Sequence, residues 1–124
     1  MPVLIVYGIP HGISGKNIVL LQDSLKQAAA SVKELGIGSA QVSCFFPLCH
    51  PEPRHIVIPA SGFPPSQEII VFIDGLFAKP KRTETVRNKL AETVAEELKR
   101  YFPQAMVEVF VRQFTPQQGF STKK

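Results

Sequence analysis

Continuous apolar runs mark two strands of the chain. The first covers residues 3–7, is rich in β-branched residues and stops at Gly8. The second covers residues 68–73 and stops at the pair Asp74-Gly75, which is a turn signal. Short length, β-branched composition and a glycine at the end predict that both runs are buried strands of a sheet.

Apolar residues at helical spacing follow each run. Between residues 18 and 32 they recur every three or four positions, with polar residues between them, and Gly36 and Gly38 come next. This pattern predicts an amphipathic helix that the glycines end. A second apolar stripe over residues 86–98 predicts a second helix with a charged outer face. Candidate N-cap residues are Ser14 or Asn17 for the first helix and Thr83 or Thr85 for the second.

Each helix leads into a further strand-forming segment, at residues 41–46 and 106–111. The order is therefore βαβ, connector, βαβ, and the similar halves 2–47 and 68–114 indicate a degenerate internal duplication. Two strands joined through a helix pair in parallel with a right-handed crossover. We therefore predict one α/β (α+β) domain over residues 1–124, with a four-stranded mixed sheet and both helices on one face.

The segments outside these halves carry other signals. Residues 47–67 are rich in proline, which has no N–H to donate to a sheet, so they form a connector with room for a short edge strand at 55–58. His50 and His55 lie in this connector without a third ligand at metal-site spacing, so we predict no metal and no cofactor. Residues 115–124 form a polar tail.

Composition and charge place few limits on function. The chain has 124 residues, with 14 Lys and Arg against 10 Asp and Glu, and its net charge of +4 fits a small anionic ligand. No apolar run reaches the ~18 residues of a membrane span, and the first residues lack the basic and small-residue pattern of a secretory signal, so we expect none. Cys44 and Cys49 make no disulfide framework, and Cys44 is predicted to be a core residue rather than a nucleophile. We predict a cytoplasmic protein with no membrane partner.

Both faces of the predicted sheet are apolar, because its first and third strands are hydrophobic at nearly every position. Two helices on one face would leave the other face exposed to water. Other subunits are the simplest cover, so we predict a homo-oligomer. Three-fold closure into a homotrimer is one arrangement that covers such a face.

Pro2 is the residue with unusual chemical potential. Removal of Met1 is expected because the second side chain is small, and it would leave proline as a terminal secondary amine. An α-amino group has a pKa of about 8, which falls in an apolar pocket near cations. Such an amine is a suitable general base near neutral pH. Proline is also tolerated as the first residue of any strand, so position alone leaves a purely structural role open.

The layout of the chain resembles the tautomerase superfamily over nearly its whole length. Pro2 leads straight into an apolar strand, and two βαβ units follow, as in macrophage migration inhibitory factor, whereas 4-oxalocrotonate tautomerase has one unit per chain. The segment 72–76 before a basic loop, and Pro116-Gln117-Gln118, are most similar to the cis-3-chloroacrylic acid dehalogenase branch. The resemblance implies a tautomerase-like fold and an isomerase in which Pro2 is the general base.

The resemblance also implies which side chains hold the carboxylate of a small 2-oxo acid or enol. Lys81, in the basic loop 79–82 that we predict to be solvated, lies near an arginine that does so in the dehalogenase branch. Lys33 lies near a lysine with that role in the migration-inhibitory-factor branch. Arg112 is a third candidate if it points inward, and Phe110 would help to exclude water.

Departures from the dehalogenase pattern keep other functions open. That branch has an arginine, a histidine, a tyrosine and a glutamate where this chain has Ala78, Ala29, Phe110 and Ser121, so hydration and dehalogenation are not implied. One alternative is a catalytically vestigial binding or assembly protein on the same scaffold. Another is a ferredoxin-like nucleic-acid binder, which shares the βαββαβ order but needs an aromatic Lys/Arg-Gly-Phe segment that the third strand lacks.

Overall fold

A computed structural model describes residues 2–10, 12–47, 63 and 68–114 of the chain. Its strands and helices follow the predicted order of two βαβ units. The elements are β1 (Val3–Tyr7), α1 (Gly15–Ala30), two short 3₁₀ helices (Lys33–Leu35 and Ser39–Gln41), β2 (Ser43–Phe45), β3 (Glu68–Phe77), α2 (Glu84–Tyr101) and β4 (Met106–Phe114).

The described strands form one four-stranded sheet in the order β2-β1-β3-β4. Within each βαβ unit the two strands pair directly and in parallel, whereas β1 and β3 pair antiparallel and join the two units. A helical crossover between adjacent strands requires the parallel pairing. The predicted α+β fold with a mixed sheet is therefore confirmed. The internal duplication of 2–47 and 68–114 stays a prediction.

One face of the sheet is sealed by both helices. Alternate residues of β1 and β3 point to this face, and Leu4, Val6 and Val71 are completely buried there. Leu21 and Leu25 of α1 belong to the same apolar cluster, as do the buried residues of α2. Burying one such leucine contributes about 1.5–3 kcal/mol relative to leaving it in water. This covered face is the core of the fold.

The other face of the sheet, which we call the open face, carries the intervening residues. Tyr7, Phe45 and Phe110 are respectively 37%, 58% and 46% exposed there, although they are large and apolar or aromatic. Phe72 lies between Tyr7 and Phe110, and its ring centroid is 6.1 Å from the first ring and 5.7 Å from the second. The prediction that helices cover one face and leave an apolar second face is confirmed for a single chain.

Two predicted boundaries are wrong. The pair Asp74-Gly75 does not end β3, which runs on to Phe77 through an irregularity between Ile73 and Leu76. Gly75 has a φ of 77°, so the turn signal is used for a bulge inside the strand. The first helix ends at Ala30 and not at the glycines, because a 3₁₀ turn intervenes before Gly36.

The other boundaries shift by a few residues. Strand β2 is shorter than predicted because Gln41 belongs to the second 3₁₀ helix, and β4 extends to Phe114. Ser14 and Thr83 are the N-caps, each accepting a backbone N–H with its side-chain oxygen. The predicted strand at 55–58, His50, His55, Cys49, Ser121 and the tail 115–124 lie outside the described residues. No helix in the described ranges has the length and apolar character needed to span a bilayer.

Candidate functional site

A cavity of about 170 Å³ lies beside Pro2, which is buried immediately before β1. The Pro2 carbonyl accepts a hydrogen bond of 3.1 Å from the backbone N–H of Ser43, which fixes the first residue against the start of β2. The walls come from Pro2, from the α1–β2 connection and from the end of β3 with the loop after it. The lining residues are Pro2, Gly36, Ile37, Gln41, Gly75, Phe77, Lys79 and Arg82.

The bulge in β3 shapes one wall of this cavity. Val3 pairs with Asp74 across the antiparallel ladder, so Pro2 lies level with Gly75, the next residue of β3. A φ of 77° at Gly75 is strained for residues with a β-carbon. The irregular backbone of β3 therefore lies beside Pro2 at Gly75, where glycine adopts the positive φ without strain.

Arg82 is the one charged or polar side chain among the described residues that is buried, with 6% of its surface exposed. Its Nη1 donates to the carbonyl of Phe77 at 2.9 Å and its Nη2 donates to the carbonyl of Leu35 at 3.0 Å. Its Nε is buried and has no hydrogen-bond partner in the described part of the chain. Burial lowers the pKa of Arg82 from its ordinary value, although arginine stays protonated in proteins.

No carboxylate of the described residues balances this guanidinium. The ion pairs of the described residues involve Lys89, Arg100 and Arg112, and Arg82 is absent from them. The described residues that line the cavity include neither Asp nor Glu, and the second cation among them is Lys79, which is exposed. The cavity is therefore a cationic site next to Pro2, suited to a small anion.

The prediction that loop 79–82 is solvated is wrong for Arg82. Lys81 is exposed and lies outside the lining, whereas Lys79 and Arg82 belong to it. Sequence reasoning missed Arg82 because four consecutive basic and proline residues carry no periodicity. Arg82 directly precedes the N-cap Thr83, a position where apolar residues often pack against the first turns of the helix, but a charged residue there gives no such signal.

The other site residues taken from the resemblance lie elsewhere in the structure. Lys33 is exposed in the first 3₁₀ helix and is not part of the cavity lining. Arg112 and Phe110 both lie on the open face, where Phe110 stacks on Phe72. The structure therefore brings Arg112 and Phe110 near each other, but it does not bring either into the lining of the Pro2 cavity.

Arg112 is held by a carboxylate on the open face. Its Nε and Nη2 donate to the two oxygens of Asp74 at 2.5 and 2.6 Å, a two-pronged ion pair. The guanidinium also lies 4.5 Å above the ring centre of Phe72, which is a cation–π contact. The hydrogen bond that Arg112 donates to Asp74 raises the pKa of Arg112. Asp74 is therefore occupied with neutralising Arg112.

Cys44 is confirmed as a core residue. It is 3% exposed on the covered face, and burial raises the pKa of its thiol to about 12, against a smaller opposing effect of Lys26. The Gln22 side chain donates to the Cys44 carbonyl at 2.7 Å beside a second, apolar cavity of about 380 Å³. A thiol that is protonated at neutral pH is not a nucleophile. The described residues also contain no group of three His, Cys, Asp or Glu side chains fit to hold a metal.

Comparisons with known proteins bear on the fold. No protein-family model matches the sequence, and no curated protein matches it. Solved structures do match. N1, a member of the cis-3-chloroacrylic acid dehalogenase family, has a TM-score of 0.69 and 14% identity, over 98% of this chain and 81% of that one.

Two further structures extend the likeness. Macrophage migration inhibitory factor from Toxoplasma gondii has a TM-score of 0.65 and 11% identity, over 98% of this chain and 97% of that one. A fused 4-OT symmetric trimer has a TM-score of 0.60 and 21% identity, over 91% of this chain and 85% of that one. The fold is that of the tautomerase superfamily. At these identities the tautomerase fold is established, and the chemistry has to be argued from the residues of this chain.

Proposed function

We propose that this protein is a tautomerase of small 2-oxo acids, in which Pro2 is the general base once Met1 has been removed. The observation that carries the proposal is the cavity itself. A buried proline immediately before β1 shares it with two cations, Lys79 and Arg82, and with no carboxylate of the described residues. The likeness to solved structures of tautomerase-superfamily proteins supports a tautomerase more generally.

The surroundings of Pro2 favour a neutral amine. Once Met1 is removed, protonation of the proline nitrogen would place a third positive charge beside Lys79 and Arg82. Burial and like charge both disfavour the protonated form, so the pKa falls below the ~8 of an ordinary terminal amine. A general base works best when its pKa lies close to the operating pH.

The two cations give the substrate its orientation. The carboxylate of a 2-oxo acid would lie against Arg82 and Lys79, which places its remaining carbons toward Pro2. Arginine offers directional N–H donors, whereas lysine acts as a point charge. Lys33, Lys81 and Arg112 stay predictions for carboxylate binding, and the water-excluding role of Phe110 stays a prediction as well.

The reaction then needs one base and no cofactor. The neutral nitrogen of Pro2 takes a proton from C3, the C3–H electrons form the C2–C3 double bond, and the carbonyl π electrons move onto oxygen. The protonated Pro2 returns the proton to oxygen, giving the enol, or to a carbon, giving back the ketone. The cations stabilise the negative charge that develops on oxygen.

Exchange of the C3 protons of a 2-oxo acid in D₂O, followed by NMR, tests this function. Pyruvate and phenylpyruvate are suitable probes, and the intact mass reports whether Met1 is absent. We expect Pro2→Ala to slow the exchange, and a chain with one glycine inserted between Met1 and Pro2 to abolish it. The insertion keeps the proline ring but turns its nitrogen into an amide. Pro10→Ala, away from the cavity, is the matched control, and equal exchange by all chains would end the proposal.

We further propose that the chain assembles as a homotrimer in a reducing, cytoplasmic compartment. The exposed aromatic residues of the open face, Tyr7, Phe45 and Phe110, support assembly because a monomer leaves them in water. The structurally similar fused 4-OT is described as a symmetric trimer. The buried free thiol of Cys44 is compatible with a reducing location.

A vestigial binding or assembly protein is the second candidate. The observation that favours it is the position of Lys33, Lys81 and Arg112, all of which lie outside the Pro2 lining. Under this alternative the chain forms the same oligomer but exchanges no C3 proton. The nucleic-acid alternative is less well supported. The strands of each βαβ unit pair directly here, whereas ferredoxin-like folds split that unit.

A further inference from the structure

The bulge in β3 contains one residue more than the strand beside it. Regular pairing of β3 with β4 stops at Ile73 and resumes at Leu76. Asp74 and Gly75, which lie between them, face the single β4 residue Arg112. Two residues opposite one is the arrangement of a β-bulge, in which the extra residue has no regular partner. The β3–β4 ladder alone therefore does not fix this part of β3.

The extra residue changes which β3 side chains reach the core. Side chains alternate between the two faces along a strand, and Ile69, Val71 and Ile73 are completely buried on the covered face. Regular alternation would turn Leu76 to the open face, but it is completely buried in the core as well. The bulge thus sets the direction of the residues after it, including Phe77 in the lining of the Pro2 cavity.

Asp74 is held from both neighbouring strands at this bulge. Its backbone pairs with Val3 of β1, and its two carboxylate oxygens accept from Arg112 of β4 at 2.5 and 2.6 Å. The Arg112 guanidinium also lies 4.5 Å from the centre of the Phe72 ring, two residues earlier in β3. A two-pronged ion pair and a cation–π contact therefore join β3 to β4 where the regular ladder is interrupted.

Gly75 depends on its neighbour for its position, because glycine has no β-carbon to restrict its backbone. It directly follows Asp74, has a φ of 77° and lines the Pro2 cavity. Pro2 lies level with Gly75 across the β1–β3 ladder. A shift of Asp74 would move this wall relative to Pro2, and displacements of about 1 Å are large on the scale of a reacting geometry.

We propose that Asp74 and Arg112 are positioning residues: their ion pair on the open face holds the β3 bulge and thereby fixes the Gly75 wall of the cavity beside Pro2. Neither side chain is among the described residues that line the cavity, so both act through the backbone of β3. The effect on the reaction rests on the proposed function, whereas the hold on the bulge does not.

Single variants and a charge swap test the pair. We expect Asp74→Asn and Arg112→Gln to speed amide hydrogen exchange at 75–77. Both should lower kcat for pyruvate C3 exchange about fivefold, the upper range for an exposed ion pair, with KM within twofold because Lys79 and Arg82 keep their charges. The double variant Asp74→Arg with Arg112→Asp restores an ion pair across the bulge, so it should regain most of kcat and the slower amide exchange.

Glu108→Gln is the matched control, because Glu108 is an exposed charge on the same face in the regular part of the β3–β4 ladder. We expect wild-type amide exchange and kcat from it. An equal loss of kcat in Glu108→Gln, or no recovery in the charge swap, would overturn the inference. Faster amide exchange with an unchanged kcat would do the same, because the pair would then be structural without positioning the site.

The two proposals fail separately in these measurements. A wild-type chain that exchanges no C3 protons refutes the tautomerase, and amide exchange at 75–77, which needs no substrate, then decides whether the pair holds the bulge. A wild-type chain that exchanges C3 protons, with wild-type amide exchange and kcat in Asp74→Asn and Arg112→Gln, refutes only this inference.

Discussion

Two arginines lie in opposite environments on the two sides of this sheet. Arg82 is 6% exposed, donates to two backbone carbonyls and has no carboxylate partner in the described chain. Arg112 is exposed on the open face and donates to both oxygens of Asp74. Arg82 is a desolvated charge without a counter-ion in the described chain, whereas Asp74 neutralises Arg112. A binding site for an anion is therefore expected around Arg82.

The difference extends to the surfaces around them. On the covered face, the helices and the core residues exclude water, so polar groups such as the Cys44 thiol have shifted pKa values. On the open face, the rings of Phe72 and Phe110 stack on each other, and the Arg112 guanidinium lies over the ring of Phe72. We infer that the covered side supports chemistry and that the open side supports contact with other chains.

The largest effect is expected from a charged substitution on the open face. Replacing Phe110 with Asp puts a charge into a surface that the proposed trimer buries, where an unpaired charge is costly. We expect Phe110→Asp to convert the trimer to monomers at micromolar concentration, as measured by sedimentation velocity. The fold of the monomer should persist, because Phe110 is 46% exposed in a single chain.

Val19→Asp is the matched control for that experiment. Val19 is 55% exposed, but it lies on α1 and not on the sheet. We expect this variant to assemble as the wild type does. Equal assembly of both variants would mean that the open face is not the interface, and a wild-type chain that sediments as a monomer would contradict the trimer directly.

The spacing of the apolar residues and the residues that flank each run were sufficient to predict the helices, the strands and the open face. The runs at 3–7 and 68–73 are apolar at nearly every position, and such runs require cover on both sides. The site was less accessible to sequence reasoning. Arg82 and Lys81 are adjacent residues of one basic loop, and only the three-dimensional positions of the Leu35 and Phe77 carbonyls make one of them buried. Hydrogen bonds between distant segments leave no local pattern.

A smaller effect is expected in the pH dependence of the free energy of unfolding, through Cys44 on the covered face. The pKa of Cys44 is raised from 9.0 to about 12 by burial. Between these values the unfolded chain loses the thiol proton and the folded chain keeps it. The free energy of unfolding should therefore fall as pH rises above 9, by about 1.4 kcal/mol per pH unit from this group.

The variant Cys44→Val isolates that contribution from the lysines and tyrosines that titrate in the same range. Denaturant unfolding at pH 8, 9 and 10.5 should show a smaller loss of stability for Cys44→Val than for the wild type. In the folded wild type the thiol should also resist alkylation at pH 8 while Cys44 stays buried. Stability curves that stay parallel over this range would contradict the raised pKa.

The smallest effect is expected from Arg112, and it bears most directly on the contrast between the two arginines. Because Asp74 holds both of its donors, Arg112→Gln should change the KM for pyruvate by less than about twofold, the scale of an exposed ion pair. Lys79→Gln, which removes the second cation of the cavity, should raise KM more, by about fivefold. A larger KM change for Arg112→Gln than for Lys79→Gln would reverse the assignment. In that case Asp74 would release Arg112 to the substrate, and the open face would have to contribute to catalysis in the assembled protein.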